Sequence, residues 1–407
     1  MGNCEEVGLQ SLSLIPNLWR RIQQRLSSPF FYADGYAFLL AMILRGSLLN
    51  HQTNDYRYYL EPWYNHLQTQ GGFFALKDHF SNYTPPYLYF LAIVVTFLGE
   101  LPKVVGIKLI TFPFELLCAY FAAQCVKLKF PETPFPRIAF FTLLFAPTLI
   151  LNGSYWGQCD VIYTTGLIAC LYYFCRQREN WALIVFGMAV SFKQQALFLL
   201  PLLVILTLKK YISPMAFCWI PTVYLLAIFP ALLLGRPLPD LLLIYVNQAN
   251  TFKHLTLNAP NLYQWIPNDY YAIMAPLGII LAIAVLSTLI LSVSRSRVKI
   301  TPPLLILLAT LAVLLMPYFL PKMHDRYFFA ADMISILYGF YFPPYFFVPV
   351  AINLVSLFSY FPFLWGVEVI PLKILSLVLA GVMGVLVYHL RIALAETAEQ
   401  IPWGDPR

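Results

Sequence analysis

Between residues 34 and 390 the chain is a succession of apolar runs, separated by short loops except at 50–104 and 236–271, and with so few charges it cannot cover a water-facing surface. The runs fall at about 34–50, 105–126, 137–154, 160–175, 180–193, 195–208, 214–235, 272–293, 302–320, 327–342, 345–361 and 372–390. A helix crossing a bilayer needs about 20 apolar residues, with a range of roughly 17 to 25. A soluble domain has about 25% charged residues; this chain has 11%, against 60% hydrophobic. The expected fold class is therefore all-α, a polytopic transmembrane helical bundle of about 12 spans (11–13). Residues 85–99 are also apolar and fit either a span or a helix dipping into one leaflet.

Cation placement gives the bundle its expected orientation. With 85–99 outside the count of spans and the N-terminus inside, 15 of the 26 Lys and Arg fall on the cytoplasmic side, among them Arg20, Lys127, Arg176, Lys209, Arg295 and Arg391. Nine fall outside and two, Arg45 and Lys108, lie within spans. Cytoplasmic loops hold the cation excess in membrane proteins, whereas counting 85–99 as a full span inverts every later loop and loses the bias. The expected organisation is one integral membrane domain over 1–407. A cytoplasmic segment covers 1–30, a first outer loop with interfacial helices 50–104, and a second large outer loop 236–271.

The N-terminal segment has no apolar stretch before a small-residue cleavage site, so no secretory signal is expected. Met1-Gly2-Asn3-Cys4 suggests lipidation, but Glu6 stands where myristoylation requires Ser or Thr. Leu9 to Trp19 fits a short interfacial helix. The net charge of +7 is spread over short loops, which argues against a nucleic-acid partner, and the seven cysteines show no paired-ligand spacing.

The outer side collects the unusual polar residues. Leu60, Trp63, Tyr64 and Leu67 make an amphipathic face, with a helix beginning near Glu61 and Pro62 in its first turn. Leu238, Leu241, Leu242, Tyr245 and Ala249 suggest a second. Both suit helices lying flat at the interface. Asp55 follows the first span by a few residues, as a loop acid or as a base held just above the headgroups. Tyr83-Thr84-Pro85-Pro86-Tyr87 starts a helix. In Gly153-Ser-Tyr-Trp-Gly-Gln-Cys-Asp160, Trp156 suits the membrane interface, and Asp160 suits either an N-cap or a site. Ser191-Phe-Lys-Gln-Gln195 places Lys193 between two short apolar segments. A cation at that depth is costly unless paired or facing a wet cavity, and lysine binds phosphate as a point charge. Lys322-Met-His-Asp-Arg-Tyr327 adds Arg326, which can clamp phosphate, and His324, which can donate to it. The loop Asn258–Trp265, with Asn261, offers a polar and aromatic surface for a sugar, although turn residues and an aromatic belt give the same composition.

These motifs resemble, in order and over roughly residues 50–330, the GT-C glycosyltransferases that use a polyprenyl-phosphate sugar. Phe192-Lys-Gln-Gln-Ala-Leu197 is similar to the Phe-Lys-Gln-Met-Ala-Leu of dolichyl-phosphate-glucose-dependent glucosyltransferases, and His324-Asp325-Arg326 to their His-Glu-Lys. Tyr155-Trp-Gly-Gln-Cys-Asp160 resembles the Tyr-Trp-Gly-Gln-Phe-Asp of bacterial homologues of the second GPI mannosyltransferase. The chain departs from the family at Asn82-Tyr83-Thr84-Pro85-Pro86, where the family often has Asp-Tyr-Pro-Pro. Asp55 is then the better candidate base.

The resemblance implies a GT-C bundle and a single inverting displacement of a hexose from a polyprenyl-phosphate donor to a lipid-linked or glycan acceptor. Asp55 takes the acceptor proton, while Lys193, His324 and Arg326 hold the leaving phosphate. Asp160, Gln158 and Gln194 orient the sugars or the base, with Asp160 and Glu61 as alternative bases, and Trp156 and Asn261 are expected to bind substrate. The scheme requires no cofactor or metal, with a metal on Asp55, Glu61 and Asp160 as a minor alternative. The expected site faces the periplasm of a bacterial inner membrane or, alternatively, the lumen of the endoplasmic reticulum. The rival reading is a transporter or flippase for a lipid-linked or anionic substrate, which predicts half-to-half pseudo-symmetry that the sequence does not display. A third is an assembly subunit with a decayed site, which Asn82 keeps open.

The topology has a direct test. Single cysteines at positions 54, 157, 257 and 323 should all react with a membrane-impermeant thiol reagent from the non-cytoplasmic side. Labelling of any of them only from the cytoplasm contradicts a shared outer site.

Overall fold

The computed structural model describes residues 29–249 and 251–399. The N-terminal segment 1–30, including the stretch Leu9–Trp19, lies outside the described residues apart from Pro29 and Phe30. The chain divides into two units. In the first, residues 1–48, the described structure is one helix, Pro29–Leu48, over the first apolar run. The second, residues 49–407, holds everything else discussed below.

The second unit is helical almost throughout, because its sequence is apolar on all sides of most helices and offers no alternation for strands. Among the described residues, six helical stretches are long and apolar enough to cross a membrane: Lys103–Lys129, Pro214–Leu233, Asn268–Arg295, Pro302–Phe319, Pro343–Trp365 and Leu372–Ala395. A seventh, Phe135–Leu144 with Pro147–Trp156, is bent by 44°. Pro147 disfavours helical backbone in the residue before it and cannot close the helical hydrogen bond, so the run read as 137–154 breaks there. The runs at 160–175, 180–193 and 195–208 are shorter helices, Asp160–Cys175, Glu179–Phe192 and Gln194–Leu208.

Pro302–Phe319 is the central helix, with 78% of its apolar window buried against 17% for Pro214–Leu233. It packs on Tyr271–Arg295, Phe329–Tyr341 and Leu372–Glu399. Helices Asp160–Cys175 and Glu179–Phe192 pack on each other closely, since a Cβ on Gly166 would stand 2.8 Å from the Cβ of Ala189. Outward-facing Leu226, Leu233, Ile280, Ile283 and Leu377 form the apolar surface that a bilayer would cover.

The long loops at 50–104 and 236–271 build the surroundings of the polar motifs. Glu61–Thr69 is the first amphipathic helix, with Pro62 in its first turn and Trp63, Tyr64 and Leu67 buried. Pro85–Phe97 has 13 residues. At 1.5 Å per residue it is about 20 Å long, too short to cross a ~30 Å core alone. Thr84 Oγ1 donates to the Phe192 carbonyl at 3.0 Å and anchors its start.

The second amphipathic helix does not form as expected. The chain splits at Leu243 into Leu238–Leu242 and Ile244–Ala249, so the apolar row is not continuous. Leu241 and Ile244 are buried, whereas Leu238 and Leu242 are exposed. The loop at 236–271 is tied to the loop at 50–104, where Gln248 Nε2 donates to the Asn82 carbonyl. It is also held over the 320s, where Lys322 Nζ donates to the Ala249 carbonyl at 3.0 Å. Two short parallel strands, Thr256–Leu257 and Met323–His324, complete the tie.

The bent pair ends in a π-helical turn, Leu151–Trp156, closed by Gly157 at φ +84°. That left-handed residue turns the chain so that Trp156 and Gln158 aim at the same partner. A side chain at this φ costs about 1–2 kcal/mol. Gly157→Val should therefore lower the thermal unfolding midpoint of the purified protein. Gly381→Ala, at a helical position with nothing within 4 Å of the added Cβ, should leave it unchanged or raise it.

Candidate functional site

Four segments far apart in sequence bring their charges together. Asp55 follows the first helix, Asp160 opens the helix Asp160–Cys175, Lys193 is the extended residue between Phe192 and the 3₁₀ turn at Gln194, and Arg326 lies in the turn Asp325–Phe328. Lys193 Nζ donates to Asp160 Oδ1 at 2.5 Å, with the two side chains 8% and 0% exposed. Asn152 Nδ2 donates to Asp160 Oδ2 at 2.9 Å. Arg326 stands between the carboxylates: one of its terminal nitrogens is 3.4 Å from Asp55 Oδ2, and its Nε is 3.9 Å from Asp160 Oδ2. The second distance is too long for a hydrogen bond, so Nε is attracted to Asp160 but has no hydrogen-bond acceptor among the described residues.

Asp55 is held asymmetrically. Trp156 Nε1 donates to its Oδ2 at 2.8 Å and Gln158 Nε2 to the same atom at 2.5 Å. The Arg326 contact also goes to Oδ2. Oδ1 accepts no hydrogen bond among the described residues, and Asp55 lines a cavity. Tyr83 supports this arrangement, because its hydroxyl donates to Gln158 Oε1 at 3.2 Å and fixes which end of that amide faces Asp55. Its ring lies 5.5 Å below Lys193 Nζ.

The cavity has a volume of about 1050 Å³, at the upper end of the ~300–1,000 Å³ typical of small-molecule sites. Asp55, Gln158, Lys193, Gln194, His324 and Arg326 contribute its polar wall. Leu197, Phe198, Ile279, Met316 and Leu320 contribute an apolar wall. Leu197 and Ile279 of this lining are also among the exposed large apolar residues.

Several expectations change in this setting. Asp160 does not cap its helix: its side chain is spent on Asn152 and Lys193, it is fully buried, and it does not line the cavity. Trp156 is no interfacial anchor. It is fully buried, stacks on Phe363 at 5.0 Å and holds Asp55 from behind the wall. Asn261 does not face a sugar either. Its Oδ1 caps the Tyr263 N–H at 3.1 Å and its Nδ2 donates to the Pro317 carbonyl at 3.3 Å, both fully enclosed. Asn258 of the same loop lines the cavity instead.

His324 lines the cavity but supplies no charge. Burial, together with Arg326 and Lys193, pushes its pKa down to about 3, so it is a neutral imidazole at pH 7. Asp325 was not singled out from sequence. Burial pushes its carboxyl up to about 7 despite the neighbouring Arg326, with Asp55 and Asp160 adding to the rise. Asn152 and Tyr83 were also missed, although Asn152 directly precedes the Gly153–Asp160 motif and Tyr83 stands in the Tyr-Thr-Pro-Pro turn. Among the described residues no group of three or more His, Cys, Asp or Glu is placed to hold a metal ion, so Asp55, Glu61 and Asp160 do not converge.

No protein-family model matches the chain, and no curated protein matches it. The resemblance to GT-C glycosyltransferases therefore stands on the quoted motifs.

Removing one member of a buried ion pair strands the other and costs about 3–5 kcal/mol. Lys193→Met should therefore lower the thermal unfolding midpoint steeply, and Asp160→Asn should do so less, because Asn keeps a partner for Asn152 and Lys193 lies nearer the cavity. The double variant should be more stable than the sum of the single effects predicts. Strict additivity in a thermal-unfolding cycle contradicts the pairing.

Proposed function

We propose that this chain is an inverting hexosyltransferase of GT-C type with about 12 spans. It moves glucose or mannose from a polyprenyl-phosphate donor to a lipid-linked or glycan hydroxyl on the non-cytoplasmic side of a membrane. The observation that carries this reading is the state of Asp55. Three donors converge on Oδ2, Oδ1 accepts no hydrogen bond among the described residues, and Asp55 lines the cavity together with Lys193 and Arg326. A base for the acceptor and a seat for the phosphate thus share one chamber.

Each part has a physical task. The acceptor hydroxyl approaches Asp55 Oδ1 and gives up its proton as its oxygen attacks C1 of the sugar. The Trp156 and Gln158 donors fix the rotamer of the carboxylate so that Oδ1 stays aimed at the acceptor. The phosphate lies against Lys193 and Arg326, whose Nε has a donor to give, and neutral His324 adds a hydrogen bond without adding charge. Gln194 and Asn258 supply neutral groups for sugar hydroxyls. The polyprenyl chain leaves along Leu197, Ile279 and Leu320 toward lipid. Asp160 acts as a positioning group, since it holds Lys193 and Arg326 and does not reach the chamber.

The roles of the two carboxylates separate by experiment. Loss of a general base costs typically 10²- to 10⁴-fold in rate. With a polyprenyl-phosphate hexose and an acceptor-lipid panel, Asp55→Asn should lose transfer by that factor while still binding donor. Asp160→Asn should lose less activity relative to folded protein. If Asp160→Asn abolishes turnover and Asp55→Asn stays within a few-fold of the parent, the assignment of the base is wrong. A transporter would bind and move the lipid without releasing polyprenyl phosphate in any variant.

A further inference from the structure

The enclosed charges around Arg326 do not balance. Asp55, Asp160 and Asp325 are three carboxyl groups against two largely enclosed cations, Lys193 and Arg326, and His324 adds none. Fully ionised, this inner set sums to 2 − 3 = −1; the further cation of the lining, Lys322, is in an exposed hydrogen bond to the Ala249 carbonyl. A phosphodiester donor brings a further negative charge. An excess of buried charge of one sign is costly, and the usual relief is that one group takes up a proton.

The hydrogen bonds identify which carboxyl does so. Asp55 receives Trp156, Gln158 and Arg326. Asp160 receives Lys193 and Asn152. Asp325 is 2% exposed, and the one hydrogen bond its carboxyl accepts among the described residues is from the Arg326 backbone N–H, at 2.8 Å. It is the carboxyl whose charged form is least supported, and it lines the chamber.

We propose that Asp325 holds a proton at neutral pH and gives it to the departing phosphate, as the general acid that complements Asp55. This rests on the glycosyl-transfer reading. The acceptor O–H proton passes to Asp55 Oδ1 as the acceptor oxygen bonds to C1. The C1–O bond to phosphate breaks, and its electron pair goes to that oxygen. The Asp325 carboxyl then protonates this oxygen. Polyprenyl phosphate leaves as a monoanion, Asp55 is left protonated and Asp325 ionised, and a proton passed from one to the other through water closes the cycle. The second pKa of a phosphomonoester is about 6, so transfer from an acid titrating at about 7 is nearly level. The titratable and charged groups that act on Asp325 are Arg326 beside it, Asp55 from the first outer loop, Asp160 from its helix and the Tyr360 hydroxyl from Phe347–Trp365.

The test is a pH–rate profile of the full-length protein in lipid nanodiscs with a synthetic polyprenyl-phosphate hexose, read as released polyprenyl phosphate. The acid must be protonated to act, so wild-type kcat should fall as pH rises through about 7. Asp325→Asn should lose this alkaline limb and about 10²-fold or more in kcat, with the donor KM little changed. Asp325→Glu should restore the limb, which a purely structural role would not produce. Infrared difference spectra taken across the same pH range need no turnover. They should show a protonated-carboxyl band that disappears in the wild type as pH rises and is missing in Asp325→Asn. A limb that persists in Asp325→Asn with near-parental kcat overturns the proposal, as does the absence of the band. If the wild type releases no polyprenyl phosphate at any pH, the glycosyl-transfer reading and the acid step fall together. The infrared band then still decides the protonation state by itself.

Discussion

The ion pair between Lys193 and Asp160 sits where the chain can least tolerate an unpaired charge. Its members are 2.5 Å apart and nearly closed off from solvent. Each charge is tolerable only because the other is there, so the kink after helix Glu179–Phe192 and the start of helix Asp160–Cys175 are fixed to each other. Asn152 extends the grip to the bent segment before Gly157, and Arg326 extends it to the 320s and to Asp55. Segments up to 271 residues apart thereby share one chamber.

Within that frame the three acids differ through their donors, not through their chemistry. Asp160 has both oxygens engaged and is sealed. Asp55 has one oxygen engaged and one open. Asp325 has a single backbone donor and little solvent, which leaves its charge the least supported. One residue type thus stands in three environments, two of them, Asp55 and Asp325, on the cavity lining and the third, Asp160, sealed behind it. The same cavity also has an apolar lining, part of which, at Leu197 and Ile279, is exposed.

The local readings that survived depend on nearest neighbours along the chain. Each apolar run coincides with helical structure, because a helix satisfies the backbone groups of a long apolar run within its own segment, and Pro62 and Pro85 mark helix starts as expected. Local reading failed where a residue's surroundings come from elsewhere. Trp156 looked interfacial because tryptophans at span ends usually are, yet Phe363 and Asp55 enclose it. Asn261 looked like a sugar contact, yet Tyr263 and Pro317 consume its amide. The row from Leu238 to Ala249 had the period of a single helix, yet the chain bends at Leu243.

The amino-acid sequence alone determined the helical class, the apolar stretches and the short set of ionisable residues on which any chemistry must draw. Hydropathy and proline placement act over a few residues, and charges in so apolar a chain are too few to hide. Only the tertiary structure decided that His324 is neutral, that Asp160 is sealed, that Asp55 keeps one oxygen open and that Asp325 belongs to the site. Proton affinity and access depend on desolvation and on donors supplied by other segments, and no sequence interval records the distance at which Lys193 meets Asp160 or Trp156 meets Asp55.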